Sequence, residues 1–255
     1  MTVLFLSSIV TAVSTLGTAY GVLIKPWQDW RPAEYRILRE LRGGHTLERF
    51  TEKLGTASYR EPLEVPDAPS GGTYTKYVFR PREDYRVEVV ADQHGDTKVY
   101  TVTSCRPDFR PTFERVTAPG TTLKVTLGAS RLSDADTGIK VWITRAGKLQ
   151  GVAYQSQDTL EEGGFREYAW GANDVCPISS PAEAAETKGL WQSWESWHQS
   201  QRRDEWFVVT AEHPDARARE LMGRSAVNVY VETAQNEPLA WYYKGQLGVT
   251  RVFAD

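Results

Sequence analysis

Metal-binding side chains are scarce in this sequence. There are two cysteines, Cys105 and Cys176, and neither has a histidine beside it. A structural zinc centre needs four such ligands held close together, so that class is set aside. The four histidines, His45, His94, His198 and His213, are scattered and share no ligand spacing. They read as surface or capping residues, and no metal is expected. Asp134-Ala135-Asp136-Thr137-Gly138 matches the start of a calcium loop, but its twelfth position is Arg145 where a glutamate is required.

Catalytic signatures are missing as well. There is no GxxxxGK[ST] and no GxGxxG, so a phosphate cradle is unsupported. Gly128-Ala129-Ser130 has Leu132 where a nucleophile elbow needs its second glycine. Asp204 and Glu205 are adjacent, and neighbours on a helix point to different sides, whereas acid–base work needs convergence. The sequence therefore predicts no catalytic residues and no cofactor. There is also no block of one charge: 30 basic and 33 acidic residues leave a net charge of −3. A nucleic-acid binder carries a basic stripe, so that partner class is excluded too.

Charge is absent altogether from the first 24 residues. Thr2 to Ile24 is a run of 23 residues, about 34 Å long as a helix, enough to cross a hydrocarbon core of about 30 Å. A cleaved signal peptide needs a basic start and a small-x-small site. The basic start is missing, and KPWQDW after the run is a poor cleavage site. The expectation is a retained single-pass membrane anchor over residues 1–25. Lys25, Arg31, Arg36, Arg39 and Arg42 all lie on its C-terminal side, which places that side in the cytoplasm. Trp27 and Trp30 suit the interface. Gly17 and Gly21 form a GxxxG pair on a face rich in Ser and Thr, the pattern through which membrane helices self-associate into homo-oligomers. A cytoplasmic location goes with reduced cysteines. The opposite orientation would go with a Cys105–Cys176 disulfide.

Beyond the anchor, the expected fold class is α+β: two small α+β units with antiparallel sheets. Residues 26–106 read as a helix hairpin plus a three-stranded sheet. Pro32 opens the first helix, and Tyr35, Leu38 and Leu41 recur along it until Gly43-Gly44. Thr46 caps a second helix whose stripe is Leu47, Phe50 and Leu54, ending at Gly55. Residues 56–72 read as a loop. Tyr77 and Phe79 mark a strand. Tyr85, Val87 and Val89 alternate in a half-buried pattern, DQHGD turns, and Lys98 to Thr103 is the third strand.

The three prolines between 105 and 120 suggest a linker over 107–120. Residues 121–255 form the second unit. Its expected strands are TTLKVTL, KVWIT, Gln150 to Gln155, Phe165 to Trp170, Phe207 to Ala211 and Val227 to Glu232, with helices over 182–205 and from Pro214 to Met222. Gly71-Gly72 and Gly163-Gly164 each precede an aromatic-x-x-Tyr-x-aromatic stretch, with a one-residue offset. Trp191, Trp194 and Trp197 sit on the helix over 182–205, with Leu190, Trp194 and Trp197 sharing a face. They either pack that helix on the core or meet a protein partner or the membrane surface.

The unit with helix TLERFTEKLG and strands YTKYVF, YRVEVV and KVYTVT resembles the BamE-like module of bacterial lipoproteins. That resemblance implies a helix pair on a short antiparallel sheet, serving protein contacts. The whole chain resembles an uncharacterised bacterial family of single-pass membrane-anchored proteins. The likeness is carried by Asp84-Tyr85, Val102-Thr103-Ser104, Asp108-Phe109, Pro111, Phe113, Glu167-Tyr168 and Gly171-Ala172-Asn173. It implies a bacterial origin, with the anchor in the inner membrane, and this architecture. The functional expectation is a membrane-anchored, non-catalytic adaptor or sensor. The alternatives are a membrane-disrupting effector that oligomerises through the anchor, and a membrane-tethered hydrolase without a recognisable motif.

Overall fold

The computed structural model describes residues 30–65, 73–118, 121–134, 140–146, 150–161, 164–173, 176, 181–200 and 215–239. The expected anchor, with Gly17 and Gly21, lies outside them. No helix among the described residues is long and apolar enough to cross a membrane. The chain is α+β with antiparallel sheets. It divides into two compact units, 1–38 and 39–255.

Helix α1 (Arg31–Glu40) begins as Pro32 implied, with Glu34 in its first turn and Arg39 in its last, each suited to the helix dipole. Helix α2 (Leu47–Leu54) is capped by Thr46, whose hydroxyl accepts the Arg49 N–H. It stops at Gly55, where φ is 84°.

The 39–255 unit is built on one eight-stranded sheet. Its strands are β1 (Tyr59–Glu64), β2 (Thr73–Arg82), β3 (Tyr85–Ala91), β4 (Thr97–Ser104), β7 (Lys140–Ala146), β8 (Gln150–Glu161), β9 (Gly164–Asn173) and β10 (Val229–Thr233). The order is β1-β2-β3-β4-β10-β9-β8-β7, antiparallel throughout. Two meanders, β1 to β4 and β7 to β9, are thus joined edge to edge by β10. A separate hairpin pairs β5 (Thr112–Ala118) with β6 (Thr121–Thr126). A short 3-10 turn (Leu132–Asp134), α3 (Pro181–Ser200) and α4 (Ala216–Arg224) complete the described elements.

Several expectations change. The loop read over 56–72 contains β1, an edge strand that tolerates Pro62 because an edge residue need not donate inward. Lys76 is buried and ion-paired across the pair to Glu61. The linker read over 107–120 contains β5, so Pro107 and Pro111 mark the way into a hairpin. All seven residues of β3 are buried, because the strand lies inside the sheet with both faces covered. The aromatic stretches of the echo, Tyr74–Phe79 and Phe165–Trp170, fall on β2, second from its edge, and β9, third from the other, so they do not occupy equivalent strands.

The hairpin's inner face carries Phe113 and Arg115, with Leu123 and Val125 also buried, while Val116 is 70% exposed on its outer face. Phe113 stacks on Tyr230 of β10 with centroids 4.0 Å apart, and Tyr85 stacks on Phe109 at 4.6 Å. Each stack adds about 1 kcal/mol beyond the area it buries. Phe50 of α2 tilts against Tyr100 of β4 at 5.4 Å.

Candidate functional site

The densest chemistry among the described residues surrounds Glu232, whose side chain is wholly buried near the end of β10. Tyr230 and Glu232 share a face of the strand, and Tyr100 and Tyr168 stand opposite Glu232 on the two flanking strands. Three guanidiniums converge on it from different elements. Arg115 of β5 donates through Nε at 3.1 Å, and its Nη2 lies 3.1 Å from the same oxygen. Arg166 of β9 donates from Nη1 to Oε1 at 3.2 Å. Arg42, from the loop before α2, approaches to 3.6 Å. The Tyr230 hydroxyl donates at 2.9 Å.

Local sequence explains these approaches. Gly43 lies so close to β10 that a Cβ would meet the Thr233 carbonyl at 2.5 Å, which brings Arg42 alongside. Arg166 Nη1 also donates to the carbonyls of Gly43 at 2.8 Å and Thr233 at 2.7 Å. The loop is pinned further by Gly44 N–H to Thr97 O and Thr97 N–H to His45 O. His45 accepts the Arg42 N–H through Nδ1 at 3.2 Å.

The electrostatics follow from burial and charge. His45 is held below its ordinary value, first by burial and then by Arg49, Arg42 and Arg166. Tyr100 and Tyr230 are pushed well up, first by burial and then by the Glu232 carboxylate. For Arg115, burial pulls downward, and Tyr230 and Glu232 more than offset it, so its value rises. An isolated buried carboxylate costs several kcal/mol, and only close partners compensate. Both Glu232 oxygens have such partners here. The cluster joins the α2 loop, the hairpin, β9 and β10, which is the work of a structural node.

The tryptophans expected to meet a partner are placed as follows. Trp194 is fully buried and donates to Ser225 Oγ at 3.0 Å. Trp197 is buried and donates to both Asp215 oxygens, at 3.1 and 3.0 Å. The two indoles meet edge to face at 5.7 Å. Asp215 is also the N-cap of α4, accepting the Ala218 N–H at 2.7 Å. These two side chains fasten α3 to α4, which corresponds to the core-packing alternative. Trp191 is partly exposed. An open groove of about 490 Å³ between α3 and α4 is lined by Ser193, Ala216, Arg217, Glu220, Leu221 and Arg224.

Other sequence candidates are local. Asp134 accepts the Arg131 N–H and closes the 3-10 turn. Ser130 accepts the Thr126 N–H. His94 sits in the β3–β4 turn beside Gln93. Asp204, Glu205 and His213 lie outside the described residues. No group of three or more metal-ligating side chains is found among the described residues. Sequence reasoning did not single out Arg115, Arg166 or Glu232. The available signal was Tyr230-x-Glu232, which puts a carboxylate on the same strand face as a large aromatic.

Comparison of the chain with protein-family models, with curated proteins and with solved structures returns no match.

Proposed function

We propose that this chain is a membrane-anchored, non-catalytic binding protein that works as an adaptor or sensor. The anchor is Thr2–Ile24, argued from its length and lack of charge. The observation that carries the non-catalytic half is the saturation of Glu232. Its carboxylate is occupied by Tyr230, Arg115 and Arg166, so it offers no free acid, base or nucleophile. The contacting surface on this reading draws on exposed Val116 of the hairpin and Tyr59 of β1 and on the partly exposed Trp191 of α3.

A photo-crosslinking amino acid placed at position 59, 116 or 191 of the full-length protein in its native membrane tests this. The expected result is a discrete adduct from at least one of these positions and none from the buried position 194. Absence of adducts at all three removes the binding reading.

The small-residue face with Gly17 and Gly21 favours a second reading, an effector that oligomerises in the membrane. Dye-loaded liposomes carrying clustered full-length protein should leak on that reading. Intact liposomes count against it.

A further inference from the structure

The two cysteines of the chain, 71 positions apart, meet in a disulfide. They meet at the seam between the meanders. Cys105 directly follows β4, and Cys176 lies three residues past β9. Between those two strand ends stands Asn228, immediately before β10. Its carbonyl accepts the Ser104 N–H, its N–H donates to Gly171 O, and its side chain accepts the Asn173 N–H and donates back to Asn173 O. The bridge therefore ties β4 to β9 at the end of the sheet where β10 is inserted. Glu232 and its guanidiniums hold the opposite end of the same short strand.

We propose that Cys105–Cys176 is a resident bridge made by exchange with a disulfide-bearing thiol oxidant, and that the folded region lies on the oxidising, extracytoplasmic side of the membrane. One cysteine thiolate attacks the oxidant's disulfide to give a mixed disulfide. The second thiolate displaces the oxidant as a dithiol. Two protein thiols are oxidised, one oxidant disulfide is reduced, and the oxidant's sulfurs take up the two protons. The cytoplasm keeps such pairs reduced, whereas extracytoplasmic compartments preserve them.

The basic residues after the anchor favour the other side. That rule governs short flanks, and long domains cross largely regardless of charge. More than 200 residues follow the anchor here. A covalent bond that one compartment removes is the more restrictive observation. The partner under the proposed function then belongs to the extracytoplasmic side. The statement about sides rests on the anchored reading, while the statement about the bridge does not.

The test uses the full chain in intact cells. Free thiols are trapped with N-ethylmaleimide at lysis. The protein is then labelled with a maleimide–polyethylene glycol reagent, with or without prior reduction. The expected result is no mass shift without reductant and a shift of two reagent masses with it. Cys105→Ser should shift by one reagent mass when lysed without the trap, showing that the assay sees a lone thiol. A C-terminal alkaline phosphatase fusion should be active. Both cysteines trapped at lysis would overturn the bridge. A formed bridge with an inactive fusion would overturn the assignment of side. A bridged protein released from membranes by alkaline carbonate would overturn the anchored reading and leave the bridge standing.

Discussion

Arg115 and Glu232 lie 117 positions apart, and the guanidinium Nε donates to the carboxylate at 3.1 Å with both side chains buried. This contact fastens the β5–β6 hairpin to the joining strand β10. Removing one partner leaves a buried charge with fewer partners. Arg115→Ala should cost about 3 kcal/mol in denaturant unfolding, with Arg166 still in place. Replacing the pair together, Arg115→Met with Glu232→Leu, should cost less than the sum of the two single replacements, because Glu232 also holds Arg166 and Tyr230 and only the shared Arg115 contact is counted twice. A double replacement as damaging as the sum of the single ones would show that the two residues act independently.

The disulfide closes a loop spanning 71 positions. On the chain-entropy account that constraint is worth about 4 kcal/mol. Cys105→Ser, Cys176→Ser and the double variant should all lose about the same stability, because each removes one bond. A double variant clearly less stable than either single one would point to separate packing roles.

Much of the local structure was legible in the sequence. Thr46 and Gly55 bound α2 because a hydroxyl cap and a positive-φ glycine are short-range signals, and Gly95 takes φ 83° in the β3–β4 turn for the same reason. The β5 strand was hidden by its flanking prolines. The pairing of β10 with β4 and β9 was also hidden, since nothing in VNVYVE names partners as distant as Thr103 and Gly171. The Arg115, Arg166 and Glu232 node shares this cause, because its members look like ordinary surface charges until the sheet order brings them together.

Trp197→Phe should cost about 1 kcal/mol by removing the hydrogen bond to Asp215. Trp194→Ala should cost about 3–5 kcal/mol through the cavity left at a fully buried site. Trp191→Ala should change stability far less, since that indole reaches the surface. Thermal unfolding of the three variants ranks them, and a Trp191 variant as unstable as the Trp194 one would refute this packing.

His45 has a folded-state value below its ordinary 6.5, caused first by burial and then by Arg49, Arg42 and Arg166. The unfolded chain therefore takes up a proton at a pH where the folded one does not. The resulting stability is fully present above pH 6.5 and is lost as pH falls through the folded value. His45→Asn keeps an acceptor for the Arg42 N–H and removes the titration. Denaturant midpoints measured from neutral to acid pH should fall less steeply for this variant. Identical slopes would place the pH dependence elsewhere.

Gly43→Ala puts a methyl group 2.5 Å from the Thr233 carbonyl. The loop carrying Arg42 and His45 would have to move, at a cost of about 1–3 kcal/mol. The Arg42–Glu232 approach should be lost with it. Hydrogen exchange at Gly44 and Thr97, whose amides hold the loop down, should speed up, and unchanged protection would contradict the close approach.

On the proposed function, Thr2–Ile24 anchors a region that folds without it. The direct measurement is alkaline carbonate extraction of membranes containing either the full chain or a chain lacking residues 2–24, followed by thermal unfolding of the released protein. The full chain should stay in the membrane pellet, while the shortened one should be released and unfold in a single cooperative transition. Release of the full chain by carbonate, or a shortened chain with no cooperative transition, would contradict it.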